Sequence, residues 1–327
     1  MNWKTRATKL LGCKYPIIQG AFGGFGTSAI AAPVSAAGGF GIITGSALRT
    51  PEKLRADIRR LRSITDAPFG VNFSIGMCPS VEDLLEVAIE ERVPVIFTSA
   101  FRADEHGKRI KEAGLKWIHK TASVQHAISA EKQGADAVVI VGLEGTAFKS
   151  ISQLPTLTSI TTAVRLIKIP VIAAGGIGDA HGLVAALAMG AEGVYMGTRF
   201  LATTECPVSD SYKSKLVEAK PWDSEYRDRA LTPPKPEEYA RLMQSKGDMP
   251  LDKWLQHLES TMFGHTPNGE IDWDSGINVE VALRIAGGSL AVGVIDSVVS
   301  CRELIDTIIR EAEAILTNEG NLGRLLR

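Results

Sequence analysis

Residues 171–199 read VIAAGGIGDAHGLVAALAMGAEGVYMGTR. Two short apolar runs, 171–174 (VIAA) and 193–196 (GVYM), flank a stretch with helical spacing, 179–189. Each run passes directly into glycine: Gly175-Gly176 after the first, Gly197 after the second. Strand, glycine loop, helix and strand in this order form a βα unit with parallel strands. The runs are apolar throughout rather than alternating, as expected of strands covered on both faces.

The unit recurs upstream. Further apolar runs lie at 16–20 (PIIQG), 41–44 (GIIT), 69–73 (FGVNF), 94–98 (PVIFT), 116–119 (KWIH) and 137–141 (AVVIV). Successive starts are 21 to 34 residues apart, the length of a strand, a loop and a helix. Helical patterns fill the gaps at 81–88, 106–113, 123–133 and 157–167. Another begins at Thr50-Pro51-Glu52, a cap followed by proline at the first turn. Gly114, Gly134 and Gly190 follow three of these helices, where a left-handed residue can close the last turn. Eight βα units specify a (β/α)8 TIM barrel rather than an open doubly wound sheet.

After Phe200 the strand rhythm stops. Residues 203–285 are polar, with helix-like pieces at 207–219, 237–243 and 251–261 and proline-rich joints at 232–236. The chain turns helical again from Val279. Residues 300–316 carry an apolar stripe at Leu304, Ile308, Ala312 and Ile315. The expected organisation is a barrel from 1–202 plus 286–327, with a small, mostly helical insertion at 203–285 covering the active site.

Composition narrows the function. Lys plus Arg is 36 against 37 for Asp plus Glu, a net charge of −1, so no basic surplus points to nucleic acid or anionic lipid. No apolar stretch of about 18 residues suggests a membrane span. The opening MNWKTRATKLLGCKYP lacks the apolar core of a secretory leader. Four scattered cysteines (Cys13, Cys78, Cys206, Cys301) form no paired motif. They suit a reducing compartment, so a cytoplasmic protein is expected. No two of the six histidines stand three or four apart, which removes a helix-borne metal pair, and no metal is expected.

A barrel builds its ligand site at the C-terminal ends of its strands. Glycine loops after strands 7 and 8, beside a helix starting at Asp179, make an anion cradle of bare backbone amides. Tight turns alone are the rival reading. Gly176-Ile177-Gly178 is not the start of a dinucleotide fingerprint: position 181 is His181, and no acidic residue ends the next strand. Lys120 at a strand end can hold a phosphate or face negative charge on a reduced flavin. Asn72 and Gln19 offer amides to a heterocycle. His119, one residue before Lys120, should point to the opposite face of the strand. His181, in the first turn of the helix after strand 7, is the one histidine placed to touch a ligand there and a weak catalytic candidate.

These residues carry a resemblance. The stretches 16–24 (PIIQGAFGG), 32–45 (APVSAAGGFGIITG), 64–73 (ITDAPFGVNF), 119–145 (HKTASVQHAISAEKQGADAVVIVGLEG) and 169–208, together with the terminal helix, are similar to the nitronate monooxygenase (2-nitropropane dioxygenase) group of FMN-dependent barrels. Flavin-type enoyl-acyl-carrier-protein reductases and NADH:quinone reductases share that fold. The resemblance implies FMN contacts from Ala21, Phe22 and Gly23, from Asn72 and Lys120, and from Thr146. It implies a phosphate end held by Ala174, Gly175, Gly176, Gly197 and Thr198. One departure matters. The group carries a histidine base after strand 6, in an E-x-G-G-H or E-x-A-G-H stretch. Here the residues are Glu144-Gly145-Thr146-Ala147-Phe148-Lys149, and Phe148 takes the histidine position. Phenylalanine cannot accept a proton, so the catalytic residue is left unassigned. An acidic residue often found near strand 6 is replaced by Val141.

The resemblance therefore implies an FMN-dependent oxidoreductase acting on a small molecule, a nitronate or similar carbon acid, with O2 as electron acceptor. One alternative is an NAD(P)H-dependent reductase of a quinone or enoyl thioester, with NAD(P)H as co-substrate. Another is a flavin-binding barrel without turnover. A homo-oligomer is compatible with all three.

Overall fold

A computed structural model of the chain describes residues 1–22, 25–76, 78, 81–146, 149–232, 237, 244, 247–249 and 288–317. Each of the eight apolar runs is a strand: β1 (Ile17–Gln19), β2 (Gly41–Thr44), β3 (Phe69–Ile75), β4 (Val95–Ala100), β5 (Lys116–Thr121), β6 (Ala137–Val141), β7 (Val171–Ala174) and β8 (Val194–Met196). Three strands run further than the sequence pattern indicates. β3, β4 and β5 continue two residues past their apolar runs, so Lys120 lies within β5 rather than beyond it. Ladder hydrogen bonding, which residue polarity does not report, carries the strands on.

All ladders are parallel, in the order β1-β8-β7-β6-β5-β4-β3-β2. The seam between β1 and β2 is closed by a parallel bridge, Ile18 to Phe40. There the Gln19 amide N–H donates to Phe40 O at 2.9 Å and the Phe40 N–H to Ile17 O at 2.9 Å. Gln19 Oε1 also accepts from the Ile42 N–H at 2.9 Å. The Gln19 side chain is thus a seam staple and fully buried, not a free amide for a ligand.

The helices in chain order are α1 (Arg6–Leu11), α2 (Ser28–Ala36), α3 (Gly45–Leu48), α4 (Pro51–Ile64), α5 (Val81–Glu90), α6 (Asp104–Glu112), α7 (Val124–Lys132), α8 (Thr156–Leu166), α9 (Ala180–Ala188), α10 (Thr198–Leu201), α11 (Asp210–Glu218), α12 (Ser224–Leu231) and, last among the described residues, α13 (Cys301–Leu316). Thr50 caps α4 as its sequence indicates, accepting from the Lys53 N–H at 3.3 Å. Gly114, Gly134 and Gly190 take φ of 75°, 95° and 95°. The Leu304, Ile308 and Ala312 stripe of α13 is buried, and the helix packs on α9 and α2.

Strand alternation divides the apolar side chains into two bodies. One fills the lumen: Ile18, Phe40, Ile42, Val95, Phe97, Ile118, Val139, Ile172 and Tyr195 among others. The other, with Ile43, Phe73, Trp117, Ile140 and Val194, lies between strands and helices. Ala7 and Leu11 of α1 belong to the lumen body. The Arg6 guanidinium donates to Lys168 O at 2.6 Å, and Thr5 Oγ1 donates to Glu192 O at 2.7 Å, just before β7 and β8. Helix α1 therefore plugs the N-terminal end of the barrel and leaves the C-terminal end as its mouth.

His119 points out of the lumen, as its position beside Lys120 requires. Trp117 Nε1 can only donate, and it does so to Thr98 Oγ1 at 2.8 Å. Thr98 Oγ1 also lies 2.7 Å from His119 Nδ1, in a hydrogen bond whose direction follows the imidazole tautomer. Burial first, then His126, pushes the His119 pKa down to about 4 from the usual 6.5. A depressed histidine is neutral when folded and charged when unfolded between these values. Stability is therefore full above pH about 6.5 and declines as pH falls towards 4, by about 3 kcal/mol. Denaturant titrations from pH 7 to 4 should show this decline, and His119→Gln should flatten it; an equal decline in both proteins would assign it to other groups.

Helices α11 and α12 lie in the stretch read as an insertion. The helix expected at 251–261 lies outside the described residues, as does all of 237–243 except Glu237. The turn to helix expected from Val279 also begins outside them. The chain is described again from Gly288, with a 3-10 turn at Leu290–Val294.

Candidate active site

The loop after β7 is fixed by backbone geometry. Gly175 and Gly176 take φ of 106° and 72°, where side-chain-bearing residues are strained. A Cβ on Gly175 would stand 2.8 Å from Thr156 Oγ1 and 3.0 Å from the Gly142 N. Asp179 caps α9, its Oδ1 accepting from the Gly182 N–H at 2.7 Å. These glycines are needed by the turn itself. Gly197 is different: φ is −96°, and an added Cβ would meet nothing within 4 Å. The fold does not require glycine there, and the face above Gly197 is open.

A short helix, α10, starts directly after Gly197, the arrangement that holds phosphate in barrels. Its first residue, Thr198, is buried and bound to a residue the sequence reading missed. The Ser289 N–H donates to Thr198 Oγ1 at 2.9 Å, and the two hydroxyls lie 3.0 Å apart. Ser289 lies 91 residues from Thr198 along the chain, so no local pattern ties it to strand 8.

Across the mouth, Asn72, Ser74, Ser99 and Lys120 occupy inward positions of three adjacent strands. Asn72 Nδ2 donates to Ser99 Oγ at 3.4 Å, and the Ser74 and Ser99 hydroxyls are 3.3 Å apart. Asn72 is buried, and its Oδ1 has no hydrogen-bond partner. A buried acceptor in this state costs about 1–3 kcal/mol unless a donor arrives. Lys120 is half-buried, and its ammonium lies 5.9 Å from the Tyr195 ring centre. Burial pushes it down to about 8 from 10.5. Tyr195, also missed from sequence, is the floor of the site. Its hydroxyl accepts from the Ala21 N–H at 2.6 Å, and burial pushes the phenol up. The Ala21 amide is thus engaged within the protein. Phe22 O accepts from Thr44 Oγ1 at 2.9 Å.

The loop after β6 completes the rim. The Gly142 N–H donates to Ala174 O at 2.9 Å. Glu144 Oε2 accepts from the Thr156 N–H at 2.8 Å and from Thr156 Oγ1 at 2.7 Å, which caps α8. Thr146 lies half-buried beyond it. Val141 faces the lumen. Gly23 and Phe148 lie outside the described residues. His181 is 78 % exposed in the first turn of α9, 3.7 Å from Asp179. It lines a groove of about 750 Å³ with Gly178, Arg199, Asp296, Leu304 and Glu311. Among the described residues no group of three or more His, Cys, Asp or Glu side chains could hold a metal, and no helix is long and apolar enough to cross a membrane.

This rim fits a flavin mononucleotide in three respects. Backbone at Gly176, Gly197 and Thr198 suits a phosphate, and the orphaned Asn72 Oδ1 needs an N–H donor. The Lys120 charge suits the negative charge such a ring gains on reduction.

Comparison with known proteins agrees with the geometry. The model of the nitronate monooxygenase family matches residues 4–245. The chain is 36 % identical over 220 residues to a (3aS,4S,5R,7aS)-5-hydroxy-7a-methyl-1-oxo-octahydro-1H-indene-4-carboxyl-CoA dehydrogenase of Mycobacterium tuberculosis; the match covers 67 % of this chain and 61 % of that protein. It is 33 % identical over 271 residues to a probable nitronate monooxygenase of Staphylococcus saprophyticus, covering 68 % and 75 % of the two chains. Among solved structures, FabK from Thermotoga maritima superposes with a TM-score of 0.75 at 34 % identity, over 96 % of this chain and 97 % of that one. Nitroalkane oxidase from Streptomyces ansochromogenes, at 20 % identity and a TM-score of 0.65 over 94 % and 98 % of the two chains, shares the fold.

Proposed function

Because the chain belongs to the nitronate monooxygenase family, a family of oxidoreductases, we propose that it is an FMN-dependent enzyme that oxidises a nitronate or similar carbon acid with O2 as electron acceptor. The observation that carries this reading is the mouth itself: open glycine backbone at Gly197 on one side, and the unpartnered Asn72 Oδ1 on the other. Bound FMN supplies two-electron transfer at its ring. Gly175, Gly176, Gly197 and Thr198 would hold the phosphate, with Ala174 beneath. Asn72 would accept a ring N–H, and Lys120 would present its positive charge. Ala21, Phe22 and Gly23 would line the ring from β1, and Thr146 from β6. The insertion at 203–285 would exclude water from the mouth.

A second reading is favoured by Phe148, which removes the base the family places after strand 6. The site then acts as an NAD(P)H-dependent reductase of a quinone or thioester, chemistry in which the protein orients rather than deprotonates its substrate. A dehydrogenase among the relatives supports this alternative. An anaerobic reduction screen separates the two. The purified chain should carry flavin absorbance; bleaching by a nitronate alone supports the first reading, and bleaching only by NADH or NADPH supports the second. Bound flavin reduced by neither makes the protein a non-catalytic binder, and a colourless chain that takes up no FMN ends both readings.

The missing base gives a gain-of-function prediction. Phe148→His should accelerate proton abstraction from neutral nitroalkanes about 10²-fold, the usual contribution of a positioned base, while leaving the rate with preformed nitronates nearly unchanged. Paired rate measurements on a nitroalkane and its nitronate check this; a flat nitroalkane rate refutes the missing-base account.

A further inference from the structure

We propose that Lys149 is a positioning residue that fastens the loop after β6 to helix α12, so that the rim beside the flavin seat and the first part of the insertion move as one body. Its ammonium donates to Leu143 O at 2.7 Å, to Gly145 O at 2.8 Å and to Ala230 O at 2.7 Å. Three hydrogens meet three carbonyls, and none is left over. Two of the carbonyls belong to the loop that carries Thr146. The third is in the last turn of α12, where carbonyls lack helical partners and the helix end is negative. The residue therefore satisfies a helix terminus and stiffens a loop at once.

This is not an ion pair. The carboxylate of Glu144, in the same loop, is engaged by the Thr156 N–H and hydroxyl. Nor is Lys149 placed to replace the histidine lost at Phe148. An ammonium has no lone pair, and freeing one would break contacts to carbonyls on two elements. The chain just after the insertion is tied to the same rim: the Leu290 N–H donates to Glu144 O at 3.0 Å, and Ser289 binds Thr198. With Lys149 bonded to α12, the rim is held from within the first part of the insertion and again from the residues that follow it. The fastening stands on these bonds alone; its effect on the cofactor rests on the flavin reading above.

The test uses the full chain with Lys149→Met, which keeps the length and removes the donors, and Lys149→Arg, which restores charge and several donors. Backbone hydrogen exchange is followed in peptides covering 143–146 and 226–231, with 137–141 and 171–174 as internal references. FMN affinity is measured by titrating stripped protein. In the Met variant, exchange in both segments should rise about tenfold with the reference strands unchanged, and FMN should bind about tenfold more weakly, as expected for loss of charge-assisted hydrogen bonds. The Arg variant should recover both to within about threefold. Unchanged exchange in the Met variant, or an Arg variant no better than Met, overturns the fastening. Faster exchange with unchanged FMN affinity overturns the positioning role and leaves the flavin reading standing. If wild-type protein takes up no FMN, the flavin reading fails and exchange alone decides the fastening. Lys149→Gln serves in the same measurements if the Met variant does not accumulate folded.

Discussion

Gly197→Asp should empty the cofactor seat without unfolding the barrel. The backbone at Gly197 is already in a region open to any L-residue, and an added Cβ meets nothing within 4 Å. The carboxylate therefore enters the open face where the phosphate is proposed to lie. At about 4 Å and an effective dielectric of about 20, one like-charge pair costs about 4 kcal/mol. FMN affinity should fall by about 10²-fold or more, with the melting temperature unchanged within a few degrees. Gly197→Ala is the matched control and should retain the cofactor. Gly175→Ala should behave in the opposite way. Its φ of 106° and the 2.8 Å approach to Thr156 make a methyl group itself the fault, so stability falls by about 2 kcal/mol or more before any ligand is added. Flavin titration and thermal melting on the three variants check the contrast. Full FMN affinity in Gly197→Asp would refute phosphate binding at strand 8.

The contrast between these two glycines shows what sequence can and cannot tell. Both stand after a strand in a glycine-rich loop, and the text is the same for a turn glycine and for a clearance glycine. Only the neighbours differ: Thr156 and Gly142 crowd one, and open space borders the other. The eight strands were legible because burial on both faces leaves an unbroken apolar run, a local signal. Helix α2 left no comparable stripe; it is alanine-rich, carries Pro33 and is buried on several sides, so no polar face marks its period. Helix α1 is too short to show one, and its role as a plug depends on Lys168 and Glu192, far along the chain. The site divides the same way. Gly175, Gly197, Asn72 and Lys120 were readable as residues at or near strand ends. Ser289, Tyr195 and Lys149 act through contacts across 91, 174 and 81 residues, which no local pattern encodes.

Lys120→Met should leave the protein folded and nearly inactive. The position is costly for a charge: burial lowers its pKa to about 8, so a folded state carrying the ammonium at pH 7 bears a desolvation penalty that methionine removes. Such a charge, set among Asn72, Ser99 and Tyr195, is the mark of a functional rather than a stabilising group. Its proposed work is to face negative charge at the bound ring, and loss of one such electrostatic contact typically lowers turnover about 10²–10³-fold. The pH dependence follows with a definite sign. The depressed pKa means the charge is present below pH about 8 and lost above it. Wild-type turnover should therefore fall on the alkaline side, at a somewhat higher pH in the loaded protein, because an anionic cofactor favours the ammonium. Lys120→Arg keeps its charge throughout and should hold a flat profile over the same range. Stopped-flow reduction of the flavin between pH 6 and 10 for the three proteins, with their melting temperatures, decides the matter. A methionine variant that turns over like wild type, or a wild-type profile indistinguishable from that of the arginine variant, would place the catalytic charge elsewhere.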